Sequence, residues 1–125
     1  MTLTLYGLKT CDSCRKAVAF LKARDCSPQF HDLRADGLDE DMLDRWIGVV
    51  GWEALLNRRS TTWRALPDGA KEGLDPAGAR RLLLDNPTLV KRPVIALGDL
   101  LLVGFAAAQQ AALVEALESR GAAAG

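Results

Sequence analysis

The first 37 residues carry an extended pattern, an amphipathic helix pattern and a second extended pattern in direct succession, and this order strongly constrains the fold. Residues 2–6 alternate polar and apolar side chains, as a half-buried strand does. Apolar or small residues then recur at three- and four-residue steps until Pro28 prevents the helix from continuing. Residues 29–33 resume an extended pattern. This βαβ unit predicts two parallel strands joined by a right-handed crossover.

The middle of the chain predicts a block of helices. The first helix has an acidic first turn and is stopped by Gly51, and the last begins with Asp75 as its cap and Pro76 at its first position. The stretch 58–64 is basic and rich in hydroxyl side chains, which indicates an irregular segment that either lines a cleft or caps a helix. The three predicted helices cover residues 38–50, 52–57 and 75–85.

The last third of the chain returns to extended patterns. Apolar runs at residues 94–97 and 100–103 flank a glycine–aspartate turn, which predicts an antiparallel hairpin, and residues 106–117 predict a closing helix. The order βαβ, helical block, ββα predicts an α/β fold of the thioredoxin type with a helical insertion at about residues 37–88. A length of 125 residues fits one domain that spans the whole chain.

The charge balance excludes some classes of function. Sixteen basic and sixteen acidic side chains cancel, so the chain lacks the strong positive field that nucleic-acid binding usually exploits. No apolar stretch approaches the roughly 20 residues of a membrane helix, and the first residues lack the pattern of a signal peptide. We therefore expect a soluble, cytoplasmic protein that binds neither nucleic acid nor membranes.

Two cysteines, Cys11 and Cys14, stand between the first strand and the first helix. A cysteine at the first turn of a helix meets unpaired backbone N–H groups and the positive end of the helix dipole, so its thiolate is favoured. The second cysteine lies one turn away and can close a disulfide with the first. This spacing next to a strand–helix unit predicts a thioredoxin-like redox motif. An equally weighted alternative is that Cys14 is only a small core residue.

A structural zinc site is the competing use of this cysteine pair. Four ligands are needed, and only Cys26 and His31 are available to complete the set. Their spacing matches no familiar zinc knuckle, so we predict no metal site. Both residues are expected to be structural instead.

Six segments spread over the chain form a far more specific set than the cysteine pair alone. They are residues 6–12, 30–34, 51–57, 61–64, 91–93 and 102–105. This set resembles the arsenate-reductase-like (ArsC) family, which also contains the Spx regulators and the YffB-type proteins. The resemblance covers nearly the whole chain and is strongest toward the YffB-type branch, whose members have been proposed to be glutathione-dependent thiol reductases.

The resemblance implies roles for individual residues. The catalytic cysteine of the family falls on Cys11, and its arginine before a cis proline falls on Arg92 with Pro93. The proline would turn a strand edge toward the thiol for a peptide-like substrate. Arg92 would lie beside Cys11, where its planar guanidinium can pair with a thiolate, a glutathione carboxylate or an oxyanion. Lys9 and Thr10, next to Cys11, are expected to contact the substrate together with Pro93.

Two departures from the family bear on the substrate. Arsenate reductases of this family hold the oxyanion with three arginines, and the corresponding positions here are Asn57, Arg92 and Gly104, so arsenate becomes less favoured. Arg58 and Arg59 adjoin Asn57 and are candidates for partial compensation. The second departure is Cys14, which YffB-type proteins usually lack and Spx-type proteins have; it permits an intramolecular resolving step.

The leading functional prediction is therefore a thiol–disulfide oxidoreductase with no bound cofactor and with glutathione as co-substrate. Glutaredoxin is a possible partner. One alternative is an arsenate reductase that depends on glutathione or glutaredoxin. Another is an Spx-like redox regulator that binds RNA polymerase and uses the Cys11–Cys14 pair as a switch; the cysteine pair favours it, and the YffB-like middle segment argues against it.

Overall fold

The computed structural model describes residues 3–124, with side chains through Ser119, and its centre is a four-stranded sheet. The strand order is β2-β1-β3-β4, with β1 parallel to β2 and antiparallel to β3, and β4 antiparallel to β3. The predicted βαβ and ββα halves are thus confirmed, while Thr2 lies outside the described residues. The strands are β1 (Leu3–Gly7), β2 (Gln29–Asp32), β3 (Val94–Leu97) and β4 (Leu100–Val103).

Seven helices surround this sheet in the described part of the chain. Asp39 and Asp75 cap α2 and α6 through their side chains, and Gly51 ends α2 in the left-handed region at φ 85°. None of these helices is both long and apolar enough to cross a membrane. The helices are α1 (Asp12–Lys22), α2 (Glu40–Val50), α3 (Trp52–Leu55), α4 (Thr61–Ala65), α5 (Asp68–Lys71), α6 (Pro76–Asp85) and α7 (Ala107–Ala124), with a 3-10 turn at Pro87–Leu89.

The prediction of an irregular stretch at residues 58–64 is wrong for its second half. The Ser60 hydroxyl accepts the backbone N–H of Trp63 at 3.1 Å and so starts α4 at Thr61. Serine is a common residue before a helix, but the residues after Ser60 lack the apolar periodicity of a helix. The sequence therefore gives only weak evidence for α4. The short helix α5 was not predicted for the same reason, and α7 continues past the predicted end at Leu117 to Ala124.

Two clusters of buried side chains lie around the sheet. One lies under the helical insertion and contains Trp46, which is 2% exposed. The other joins the sheet to α1 and α7, and contains Cys14. Cys11 packs against both clusters, so its side chain lies where the insertion meets the rest of the fold.

The insertion returns to the sheet through a short antiparallel pairing. Leu56 forms an isolated bridge with Val90, the Asn57 N–H donates to the Leu89 carbonyl at 2.8 Å, and the Lys91 N–H donates to the Leu55 carbonyl at 2.7 Å. This pairing fixes the backbone that leads directly into Arg92.

Candidate active site

Cys11 is the residue immediately before α1, in the N-cap position. Its backbone is extended (φ −87°, ψ 123°), its N–H donates to the Leu8 carbonyl at 3.1 Å, and its carbonyl accepts the Arg15 N–H at 3.0 Å. The side chain is half-buried and its thiol is free. The chain therefore holds the sulfur at the end of a helix where backbone N–H groups lack helical partners, as predicted.

The surroundings of Cys11 shift its thiol toward the ionised form. Burial alone would raise the pKa of this thiol. The Cys14 backbone N–H and the Arg92 guanidinium outweigh that effect, with a smaller contribution from the Cys14 thiol, so the pKa of Cys11 lies below its ordinary value. The Cys11 side chain makes no cap hydrogen bond of its own. The backbone at the helix terminus and Arg92 come first among the groups that lower the pKa of the Cys11 thiol.

Arg92 is held in place by a backbone carbonyl and by the peptide bond that follows it. Its Nη1 donates to the Thr88 carbonyl at 2.9 Å, and the Arg92–Pro93 peptide bond is cis, as predicted. Its Nε is buried and has no hydrogen-bond partner among the described residues. An unpaired buried donor costs about 1–3 kcal/mol, so this nitrogen is a costly feature of the site.

Replacing Arg92 with glutamine is expected to raise the pKa of the Cys11 thiol, because the guanidinium lowers it. Alkylation of Cys11 by iodoacetamide at pH 7 should slow severalfold, and the midpoint of its pH dependence should move to higher pH. Arg59→Gln is the control, because Arg59 is exposed and does not contact Cys11. Equal shifts in the two variants would contradict the role given to Arg92.

A pair of threonine hydroxyls holds the carbonyl that anchors Arg92. Thr62 Oγ1 and Thr88 Oγ1 are hydrogen-bonded at 2.8 Å, and the Thr88 carbonyl accepts from Arg92. Thr62 lies in α4 and Thr88 in the 3-10 turn, so the insertion steadies the guanidinium through this link. The sequence left open whether the hydroxyl-rich stretch lines a cleft or caps a helix. The structure shows Ser60 as the cap and Thr62 as a contact to the Arg92 anchor.

Thr62→Val removes one hydroxyl of this link and leaves Thr88 unpaired. We expect Cys11 alkylation at neutral pH to slow by about two- to threefold, which is less than in Arg92→Gln, because a single neutral hydrogen bond contributes about 1 kcal/mol. Thr62→Ser keeps the hydroxyl and should restore the rate. If serine and valine behave alike, the hydroxyl does not act on Arg92.

Cys14 lies in the core and not in the cleft. Its side chain is 0% exposed, and burial raises its pKa to about 12 despite a hydrogen bond from the Leu8 backbone. Its sulfur lies against Gly7, where an added Cβ would be only 2.3 Å from Sγ. This packing matches the expectation that Cys14 is a small core residue, and its resolving role stays a prediction.

The structure does not bring all the predicted ligand residues to Cys11. Asn57 Oδ1 accepts the Arg59 N–H at 3.1 Å, and the Arg58 guanidinium lies 5.9 Å from the Trp63 ring centre. Within residues 3–119, no observed contact links Asn57, Arg58 or Arg59 to Cys11. By contrast, Lys9 and Thr10 are exposed in the turn before Cys11, and Pro93 is buried beside Arg92.

Asp32 is a residue that the sequence reasoning missed. Its carboxylate accepts the N–H groups of Ala35 at 3.0 Å and Arg34 at 2.8 Å. These bonds, with a further one from the Lys9 backbone, hold its pKa below the usual range. Asp32 therefore ties the end of β2 to the loop that carries Cys11. An acidic residue at the carboxyl end of a parallel strand is the signal that points to it.

The two residues that a zinc site would need in addition to the cysteine pair, Cys26 and His31, have other surroundings. His31 Nε2 is 2.8 Å from the Gly37 carbonyl, and Cys26 is half-buried beside the α1–α7 cluster. Across the described residues, no three His, Cys, Asp or Glu side chains are grouped as metal ligands would be.

The backbone conformation of Gly104 disfavours an arginine at this position, which is one of the three positions of the arsenate-binding set. Its φ is +89°, and a Cβ at this position would contact the Lys91 Cε at 3.4 Å. Any side chain there would need a left-handed backbone, which non-glycine residues rarely adopt. An arginine at this position would therefore be strained.

The fold and the site together define a thioredoxin-like α/β protein in which a cysteine begins the first helix and faces a guanidinium from the second half of the chain. The chain belongs to the ArsC family, whose family model matches residues 6–113.

Individual relatives agree with this assignment. The YffB protein, whose structure is solved, shares 43% sequence identity with this chain, and the two structures match with a TM-score of 0.83. The match covers 89% of this chain and 97% of the YffB chain. An arsenate reductase (ArsC) related protein from Brucella melitensis is 45% identical, with a TM-score of 0.74 and coverage of 90% and 93%. The global transcriptional regulator Spx of Streptococcus mutans is 30% identical over 105 residues, which span 82% of this chain and 76% of the regulator.

Proposed function

We propose that this protein is a thiol–disulfide oxidoreductase that uses glutathione to reduce mixed disulfides, with Cys11 as the nucleophile. The observation that carries the proposal is the Cys11 sulfur itself, half-buried at a helix N-terminus beside Arg92, with its pKa lowered. A thiolate is the attacking species in disulfide exchange, so this environment favours the reaction. The Arg92 guanidinium beside Cys11 supports binding of an anionic group of glutathione.

The proposed reaction has two exchange steps. The Cys11 thiolate attacks the glutathione sulfur of a mixed disulfide, the old S–S bond breaks, and its electron pair leaves with the substrate sulfur, which takes up a proton. A second glutathione thiolate then attacks the glutathione bound to Cys11. Oxidised glutathione leaves and the Cys11 thiolate is regenerated, so glutathione supplies the two electrons.

Burial of Cys14 supports release by external glutathione. With a pKa of about 12 and a fully buried side chain, Cys14 holds very little thiolate at neutral pH. We therefore expect Cys14→Ala to retain glutathione-dependent turnover within about threefold, because exchange requires a thiolate on the attacking thiol. The measurement is steady-state reduction of a glutathione mixed disulfide. A loss comparable to that of a Cys11 variant would instead assign Cys14 as the resolving cysteine.

Mass spectrometry after exposure to oxidised glutathione tests the function directly. The proposal predicts one glutathione adduct, located on Cys11 by peptide mapping, and its removal by added reduced glutathione. An internal Cys11–Cys14 disulfide would indicate a dithiol mechanism. No reaction at Cys11 would overturn the proposal.

Arsenate reduction is the second candidate, favoured by the family relationship to an arsenate-reductase-related structure. Asn57 and Gly104 stand where two of the three arginines are expected, and Gly104 is in a conformation that disfavours replacement. Turnover with glutathione and glutaredoxin, measured with and without arsenate, separates the two enzymes. Stimulation by arsenate would favour the reductase.

A redox regulator is the third candidate, because Spx relatives share 30% identity with the chain. With a pKa of about 12, Cys14 holds little thiolate at neutral pH, which slows its attack on an oxidised Cys11 and so disfavours a rapid switch. A pull-down with the C-terminal domain of the RNA polymerase α subunit tests this candidate. Stoichiometric binding would favour a regulator, and no binding would favour the enzyme.

A further inference from the structure

A groove of about 330 Å³ lies between α1 and β2, beside the loop that leads to Cys11. Its apolar part is formed by the buried Leu8 and the half-buried Val18 and Phe30. Its rim carries the exposed cationic side chains of Lys9, Arg15 and Lys22. The groove therefore combines an apolar floor with a positive rim.

This groove runs along the helix face that begins with Cys11. Arg15, Val18 and Lys22 follow Cys11 by four, seven and eleven positions, a spacing that places them on one stripe of a helix. At about 1.5 Å per residue the stripe is roughly 16 Å long. The end of the groove nearest to Cys11 is formed by Lys9 and Arg15, which stand two positions before and four positions after it.

The cationic side chains of the rim form no close ion pair among the side chains that the structure describes. Within residues 3–119, no carboxylate lies within 4.0 Å of Lys9, Arg15 or Lys22, since the ion pairs seen there all involve Arg80. Asp32 attracts Lys9 only at longer range, and Arg15 Nε donates to the Lys9 carbonyl at 3.0 Å. The rim therefore complements an acidic ligand.

We propose that this groove is the docking site for the protein part of the substrate: an extended segment in which acidic side chains flank an apolar residue next to the glutathione-modified cysteine. The inference rests on the proposed function and names its substrate class. A fully extended tripeptide spans at most about 11 Å, so glutathione alone would leave the groove partly empty, whereas about five extended residues would fill it. Glutathione would lie on the Arg92 and Pro93 side of Cys11, and the protein segment on the α1 side.

Binding is tested without turnover. The probe is a fluorescein-labelled hexapeptide with glutamates on both sides of a leucine and serine in place of cysteine, compared with a twin that has lysines for glutamates. We expect wild type to bind the acidic peptide at least about tenfold more tightly than the lysine peptide at low ionic strength. Lys22→Glu should lose about three- to tenfold in affinity for the acidic peptide.

Lys16→Glu is the matched control. It makes the same charge change on an exposed residue of the same helix, but Lys16 is not part of the groove. Its affinity for the acidic peptide should stay within about twofold of wild type. Equal losses in the two variants, or equal binding of the two peptides by wild type, would overturn the docking site.

Turnover separates this inference from the proposed function. Lys22→Glu should raise KM for a glutathionylated acidic peptide and leave reduction of a small glutathione mixed disulfide unchanged. If wild type reduces the small disulfide but Lys22→Glu and Lys16→Glu have the same KM for the peptide, the docking site is refuted and the proposed reductase function is retained. If wild type reduces neither substrate but still binds the acidic peptide more tightly than the lysine peptide, the proposed reductase function is wrong, and the groove is retained as a binding site for acidic peptides.

Discussion

Cys11→Ser is expected to abolish glutathione-dependent thiol transfer, with a loss of at least about a thousandfold, because a serine hydroxyl cannot form the mixed disulfide. The fold should survive, since Cys11 is half-buried and makes no side-chain cap hydrogen bond. The measurement is steady-state reduction of a glutathione mixed disulfide, with far-UV circular dichroism as a check on folding. Cys26→Ser is the control and should keep full activity.

The same assignment predicts selective chemistry in the wild-type protein. At neutral pH, iodoacetamide should modify Cys11 at least about a hundredfold faster than Cys14, because alkylation follows the thiolate fraction and access. Cys14 is fully buried with a pKa of about 12, and burial also raises the pKa of Cys26. Time-resolved peptide mapping gives the three rates. Equal rates at all three thiols would refute Cys11 as the nucleophile.

The parts of the fold that the sequence predicts correctly are those determined by residues close together in the chain. Asp39 and Asp75 cap their helices, Pro28 separates α1 from β2, and the hairpin turn lies where glycine and aspartate predict it. The position of Cys11 follows from the same local logic, because it is the last residue before a helix. Arg92 was placed beside it through the family resemblance and not through any local pattern.

The parts that were missed depend on contacts between distant segments. Thr62 is 26 positions from Thr88, and no local pattern predicts that their hydroxyls meet at 2.8 Å and support Arg92. The position of the Arg58 guanidinium over the Trp63 ring is likewise a contact that no local pattern predicts, and its substrate contact stays a prediction. Sequence patterns fix which face of an element is apolar, but not which polar groups meet across elements.

The role of Cys14 could not be decided from sequence because both interpretations place it on the same helix face. A resolving cysteine and a core cysteine both occupy the position three residues after the nucleophile. What separates them is how closely α1 approaches β1. Gly7 allows that approach to be so close that the Cys14 sulfur occupies the space of the missing side chain.

Gly7→Ala should therefore destabilise the protein by about 3 kcal/mol, since its Cβ would lie 2.3 Å from the Cys14 Sγ inside a packed core. The flanking atoms cannot yield easily, because Leu5 and Cys14 are both 0% exposed. Urea unfolding measured by circular dichroism gives the change in the free energy of unfolding. Gly48→Ala is the control: Gly48 lies in α2 with nothing within 4 Å of an added Cβ, so alanine should be neutral or stabilising there.

Combining Gly7→Ala with Cys14→Ala tests whether the sulfur is the cause. Removing Sγ leaves only the Cys14 Cβ at 3.3 Å and the Leu5 Cδ2 at 3.5 Å from the new methyl group, contacts that shifts of a few tenths of an ångström relieve. More than half of the Gly7→Ala penalty should disappear in the Cys14→Ala background, which is the non-additivity expected of two groups in direct contact. A penalty of the same size in both backgrounds would mean that the helix and strand are held apart by something other than Cys14, and the core assignment of this cysteine would then fail.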